Sequence, residues 1–166
     1  MTKKEKLALS KGISNIELIQ CRKEKALFIG IDPGTNTGVA VWKSKSRRFH
    51  SIFTMSILDA MEYVYGLYGS AIFEEETSVL IIEDARKKRL PKHLQSGSSR
   101  LMGAGSIRRD CKMWVDFCVS KSLRFYLKPP VSSLTGWNAK KFQEYTGYEH
   151  QTNQHGRDAA MLVYDL

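Results

Sequence analysis

Paired cysteines, long apolar runs and internal repeats are all missing from this chain, and each absence removes a class of explanation. Its three cysteines, Cys21, Cys111 and Cys118, include no C-x-x-C pair and have no histidine array nearby. Neither a disulfide framework nor a zinc site is supported, and reduced thiols in a cytosolic-type compartment are expected. No apolar stretch nears the roughly 18 residues that a membrane-spanning helix needs. The opening residues, Met1 to Lys6, lack the apolar core of a secretion signal and mix Glu with Lys, unlike a transit peptide, so the expected location is cytoplasmic. Acidic charge is also short. Against 26 Lys and Arg stand 17 Asp and Glu, leaving a formal charge of +9. An excess of that size calls for a polyanionic partner, with nucleic acid first.

What is present suffices for one globular domain. The chain has 166 residues, 42% hydrophobic and 26% charged, enough to bury a core without covalent staples. Its most informative stretch runs from Ala26 to Trp42. Leu27 to Ile31 is a short apolar run suited to a strand covered on both faces. Pro33-Gly34 and the cluster Thr35 to Gly38 turn the chain, and Val39 to Trp42 reads as a strand running back. Asp32 is the one charge in this hairpin. A carboxylate so placed either caps the turn through local backbone, or needs a cation, a metal ion or converging N–H groups to offset its burial.

The remaining elements follow from pattern. Residues 1–25 read as a basic N-terminal arm, partly helical, with a weak amphipathic pattern at Ile13, Ile16, Leu18 and Ile19. Lys43, Lys45, Arg47 and Arg48 form a basic loop into a third strand, Phe49 to Thr54. Ser56 is placed to cap a helix carrying Ile57, Leu58, Met61, Val64 and Tyr65, which Gly66 and Gly69 are expected to end. After an acidic loop at 74–76, Val79 to Ile82 is another fully apolar strand, again closed by acids, Glu83 and Asp84. A basic segment from Arg86 to Lys92 leads to a long amphipathic helix over about 99–120, with Ile107, Cys111, Trp114, Val115 and Cys118 along one stripe. Leu123 to Leu127 is the last strand. Asn138 to Tyr145 is a short helix, 147–156 a polar loop, and Arg157 to Leu166 a terminal helix. Three antiparallel-type strands followed by helix, strand, helix, strand and two helices predict a mixed α/β sheet.

Acids therefore stand at three special places: Asp32 and Glu83 after strands, and Asp158 at the start of the last helix. His155 lies three residues before Asp158, so on a helical turn the two share a face. Strand-end charges tend to meet at one edge of a sheet. Carboxylates brought that close repel unless divalent ions neutralise them, and oxygen-rich sites of this kind favour magnesium, with manganese as the substitute. Two ions about 4 Å apart can activate water and stabilise the leaving oxygen of a phosphodiester. Each residue also has a bland reading: a solvated strand end for Glu83, a helix-dipole charge for Asp158, a loop residue for His155.

The stretch Phe28-Ile-Gly-Ile-Asp-Pro-Gly-Thr-Asn-Thr-Gly38 resembles the first catalytic motif of the RuvC family of Holliday-junction resolvases, within the ribonuclease H-like superfamily. Val79 to Glu83 resembles that family's second acidic strand, Met102 to Ile107 the start of its long central helix, and His155-Gly-Arg-Asp-Ala-Ala160 its final motif. The similarity covers 27–166 in order and spacing. It implies a ribonuclease H-like mixed five-stranded sheet flanked by helices over 26–166, with residues 1–25 as an added arm. It implies that Asp32, Glu83, His155 and Asp158 are the metal-binding catalytic set. One ion would lie between Asp32 and Asp158 and a second between Asp32 and Glu83. The implied activity is magnesium-dependent resolution of four-way junctions by symmetric nicking, leaving 5′-phosphates, in a homodimer with no nucleotide cofactor. Since an isologous dimer offers two equal sites to a two-fold junction, Ile107, Cys111, Trp114 and Cys118 are the expected dimer interface.

The chain also departs from that family. The stretch where many members carry an aromatic wedge is here Asp84-Ala-Arg86-Lys87, so cationic contacts are expected in its place. The lysines expected near the scissile phosphate match only loosely, with Lys128 and Lys140 or Lys141 the nearest fits. Lys43, Lys45, Arg47, Arg48, Arg86, Lys87, Lys88 and Arg89 are expected to grip phosphates without reading sequence. These departures lead us to expect a divergent, phage-encoded member that also cuts other branched DNA, in a bacterial cytoplasm. Two other readings share features with this one: a branched-DNA-binding module without catalysis, and an ATPase of the actin and sugar-kinase type, whose phosphate loop has a similar Asp-x-Gly-Thr-x-Thr-Gly form. The second needs a partner domain and a second nucleotide loop, and neither is visible.

Overall fold

A computed structural model describes residues 11–24, 26–73, 77–87, 98–130 and 136–166. Five strands, β1 (Leu27–Asp32), β2 (Asn36–Lys43), β3 (Arg48–Ser56), β4 (Ser78–Glu83) and β5 (Phe125–Lys128), form one sheet in the order β3-β2-β1-β4-β5. β1 pairs antiparallel with β2 and parallel with β4, and β5 runs parallel to β4. This is the mixed five-stranded sheet flanked by helices expected from the sequence.

The two faces of the central strands explain why their sequences read as unbroken apolar runs. On one face Phe28, Ala40, Trp42, Val79 and Ile81 pack under the terminal helix α5 (Gln154–Val163). On the other, Ile29, Ile31, Val39, Leu80 and Ile82 pack under α2 (Ile57–Phe73) and α3 (Ser98–Ser120). β1 is thus buried on both sides, and each side is worth roughly 1.5–3 kcal/mol per large apolar residue removed from water. Among the described residues no helix is long and apolar enough to cross a membrane.

Several elements differ from expectation. α2 does not stop at Gly66 or Gly69 but continues to Phe73, because Leu67 and Tyr68 pack against the core and outweigh the poor helix propensity of glycine. α5 starts at Gln154, three residues earlier than predicted, because Asn153 caps it by accepting from the Gly156 N–H at 3.0 Å. The N-terminal arm is not an appendage over its whole length. Its helix α1 (Asn15–Lys23) buries Cys21 completely, and the Ile13 N–H donates to the Phe125 carbonyl at 2.7 Å, covering the exposed edge of β5. α4 (Ala139–Thr146) lies within one residue of the helix expected over 138–145, with Asn138 as its cap.

Candidate active site

Register alone brings two of the acids together. Parallel pairing aligns Ile31 with Ile82, so the next residues, Asp32 and Glu83, end neighbouring strands at the same level, about 4.8 Å apart along the hydrogen-bonding direction. Both line one cleft of about 460 Å³, together with Pro33 to Asn36 of the turn, Ala85, His155, and Ser106, Ile107 and Asp110 of α3.

Glycines bring the third side chain in. Gly38 pairs with Asp32 across the β1–β2 ladder, and a Cβ on it would stand 1.9 Å from the His155 carbonyl oxygen. A Cβ on Gly30 would stand 2.1 Å from the Ala159 carbonyl oxygen. His155 and Ala159 are four residues apart, on one face of α5, so the helix lies with its backbone against two glycine seats. Its first turn therefore sits beside Asp32, and His155 Nδ1 is 3.0 Å from Asp32 Oδ2. The cap that starts α5 is itself anchored to the sheet: the Thr54 hydroxyl donates to Asn153 Oδ1 at 2.5 Å.

Asp158 lies one turn further along α5. Its Oδ1 accepts from the Gly136 N–H at 3.1 Å and from Gln154 Nε2 at 2.8 Å. Burial pushes the Asp32 carboxyl above its ordinary range; the His155 hydrogen bond and charge pull it down, and the Asp158 charge pushes it up again. A half-buried carboxylate with a second one acting on it is a place where a cation lowers the energy. Oxygen donors with one imidazole suit magnesium or manganese in kind. The grouping is looser than the sequence led us to expect, however. Among the described residues no three His, Cys, Asp or Glu side chains stand close enough to hold an ion, and the direct contact within the set is between Asp32 and His155. By chemistry alone, the donors suit a divalent ion.

No protein-family model and no curated protein sequence matches the chain. Among solved structures it is similar to Thermus thermophilus RuvC in complex with a Holliday junction substrate, at 12% identity and a TM-score of 0.49, over 84% of this chain and 91% of that one. It is also similar to a second structure of Thermus thermophilus RuvC, at 12% identity and a TM-score of 0.41, over 83% and 90% of the two chains. These are likenesses of shape.

The basic residues expected to hold phosphates are dispersed. Lys43, Lys45, Arg47 and Arg48 lie at the opposite end of the sheet from Asp32. Leu27 pairs with Lys43 where Asp32 pairs with Gly38, and five residues at about 3.3 Å each put roughly 17 Å between those levels. Arg47 is also ion-paired with Asp165. Arg86 follows Glu83 closely, but its guanidinium is held by buried Asp84, with Nε to Oδ1 at 2.7 Å. Lys87 ends a short 3-10 turn, Ala85–Lys87; Lys88 and Arg89 lie outside the described residues. Lys128 pairs in register with Glu83, yet its Nζ donates to the Leu162 carbonyl at 3.0 Å and burial lowers its pKa. It therefore secures α5 to the sheet and does not reach outward. Lys140 is exposed and pairs with Glu144 at 3.9 Å, while Lys141 sits 4.1 Å over the Trp137 ring.

The expected dimer stripe needs correction. Cys111, Trp114 and Cys118 are buried against the sheet, none more than 1% exposed, and burial pushes the Cys118 thiol up to about 12. An amphipathic stripe faces the largest apolar surface within reach, which here is the protein's own sheet. Ile107 alone of the four remains exposed, at 43%, and it lines the cleft. The same helix carries the residue that pattern reading missed. Asp110 lines the cleft at 3% exposure, with Arg109 Nη2 on its Oδ1 at 3.1 Å. The signal was there, since an acid three residues after Ile107 and four before Trp114 sits on the core-facing side.

Proposed function

We propose that this chain is a magnesium-dependent, structure-selective DNA endonuclease that resolves four-way junctions by paired nicks leaving 5′-phosphates, and that it works as a homodimer in the cytoplasm. The observation that carries the reading is the cleft at the ends of β1 and β4. It gathers Asp32, Glu83 and His155 from three elements of a protein whose formal charge is +9. A polyacidic cleft on a basic protein suits a polyanion only if cations bridge the two, which phosphodiester hydrolysis on divalent ions supplies.

Asp32, Glu83, Asp158 and the His155 imidazole are the residues that would hold the ions. When bound, the ions would supply charge neutralisation and a water acidic enough to attack phosphorus. The chain's own part is positioning. The shared strand level fixes Asp32 against Glu83, the glycine seats fix His155 against Asp32, and the imidazole favours the ionised Asp32 carboxyl against its burial. The two-fold symmetry of a four-way junction calls for two equal sites; the pairing surface is not the apolar stripe of α3, which belongs to the core.

The test is incubation with an end-labelled four-way junction, with magnesium and with chelator. Symmetric paired nicks that need magnesium are expected, together with loss of cutting and retention of junction binding in Asp32→Asn. Full cutting by Asp32→Asn would overturn the metal assignment. One observation favours a second reading, a junction-binding module without catalysis: no three ligating side chains are gathered among the described residues. Junction binding with no nicks in magnesium or manganese would establish that reading instead.

A further inference from the structure

The buried guanidinium of Arg157 is not among the proposed ligands, although a full charge at 8% exposure needs a reason. Its bonds go to neutral oxygens. Nε donates to the Trp137 carbonyl at 2.7 Å, and Nη1 to the Thr152 carbonyl at 2.7 Å and hydroxyl at 3.3 Å. Nη2 donates to Gln154 Oε1 at 3.2 Å. That last bond decides which way the Gln154 amide faces. With Oε1 taken by a cation, Nε2 is the end turned to Asp158, and it donates to Oδ1 at 2.8 Å. The same Oδ1 accepts from the Gly136 N–H, close in sequence to Trp137, whose carbonyl Arg157 also holds.

We infer that Gln154 and Arg157 are positioning residues that fix the Asp158 carboxylate for cation binding. Arg157 orients the amide, and the amide and the Gly136 N–H hold one carboxylate oxygen, which sets the direction in which Oδ2 meets a ligand. A hydrogen bond polarised by a cation at its far end is stronger than an isolated one, and partners of this kind around metal ligands typically set affinity by about 10–100-fold. This inference rests on the proposed function, because it takes Asp158 as a ligand.

The experiment measures manganese binding by titration calorimetry on the full chain, in the wild type, Gln154→Leu, Asp158→Asn and the double variant. Leu is one atom shorter than Gln but of comparable bulk, and it makes no hydrogen bond. Gln154→Leu is expected to weaken manganese binding about tenfold, and to change nothing further in manganese binding in the Asp158→Asn background. A purely structural role would lower both backgrounds alike. Wild-type affinity in Gln154→Leu would overturn this inference alone. A wild-type chain that binds no manganese would overturn the proposed function and this inference with it. Arg157→Lys, which keeps the charge but not the fork, is expected to repeat the loss more weakly.

Discussion

Two glycine-to-alanine substitutions that look alike in sequence should change stability with opposite signs. In Gly38→Ala the new Cβ would stand 1.9 Å from the His155 carbonyl oxygen, 2.4 Å from its carbon and 3.1 Å from the Gly156 nitrogen, all backbone atoms at the start of α5. Real Cβ contacts essentially never fall below 3.0 Å, so the helix or the strand must give way by more than 1 Å. Such a retreat loosens Ala159, Ala160, Leu162 and Val163 from the sheet. Overpacking typically costs about 1–3 kcal/mol, and a backbone obstacle belongs at the upper end. At roughly 2–4 °C per kcal/mol for a chain of this size, an unfolding midpoint about 4–12 °C lower is expected. The same movement parts His155 from Asp32, so cleavage should fall too. Gly66 is the control. It lies inside α2, and a Cβ added there would have nothing within 4 Å, so Gly66→Ala should gain about 0.5–1 kcal/mol from helix propensity. Thermal unfolding followed by circular dichroism in one buffer reads both. A Gly38→Ala midpoint equal to wild type would show that α5 does not rest on that strand.

Two further expectations use the same cleft and the opposite end of the sheet. The Asp32 carboxyl is raised in the folded protein, chiefly by burial, so the native state holds its proton to higher pH than the unfolded chain does. Stability from this group is present at low pH and lost as pH rises through the raised value. In chelator, Asp32→Asn should therefore melt above wild type at neutral pH, with the gap closing toward acid; an equal gap at every pH would refute the burial argument. At the far end, replacing Lys43, Lys45 and Arg48 together by alanine should weaken junction binding and flatten its dependence on log salt by about 0.9 for each phosphate no longer neutralised. The cutting rate of bound junction should hold, since these residues lie roughly 17 Å from the level of Asp32. A large fall in that rate would place the hairpin at the cut.

The strand ends were legible because the signal was local and strong. Leu27 to Ile31 and Val79 to Ile82 are short, wholly apolar and strand-like, and each stops at an acid. Parallel pairing in register then needs no further information to set Asp32 beside Glu83. The placement of the basic residues was not legible, because a basic run says nothing about which end of a strand it occupies. Lys43 to Arg48 follows the acid of β1 closely in sequence, yet β2 carries it back along the full length of the sheet. Arg86 and Lys128 are cations near the right acids that are engaged by Asp84 and by the Leu162 carbonyl, and only the folded arrangement reveals that.

The helix stripe failed for a different reason, and its failure carries information. Periodicity reports that one face of α3 is apolar but not what covers it, and a sheet with an unbroken apolar face competes with a second subunit for that role. The sheet wins because burial against one's own chain costs no association entropy. Once Cys111, Trp114 and Cys118 are committed inward, Asp110 on the same side of the helix is carried to the rim of the cleft, and Ile107, one turn earlier, clears the sheet and stays exposed. The stripe that looked like a partner surface thus sets the depth at which α3 enters the site. A conservative enlargement inside it, such as Val115→Ile, should then disturb cleavage through Asp110 and Ser106 more than it disturbs assembly. Cleavage kinetics compared with sedimentation of the same variant separate the two, and a variant that changes its association state while cutting normally would return the stripe to the interface.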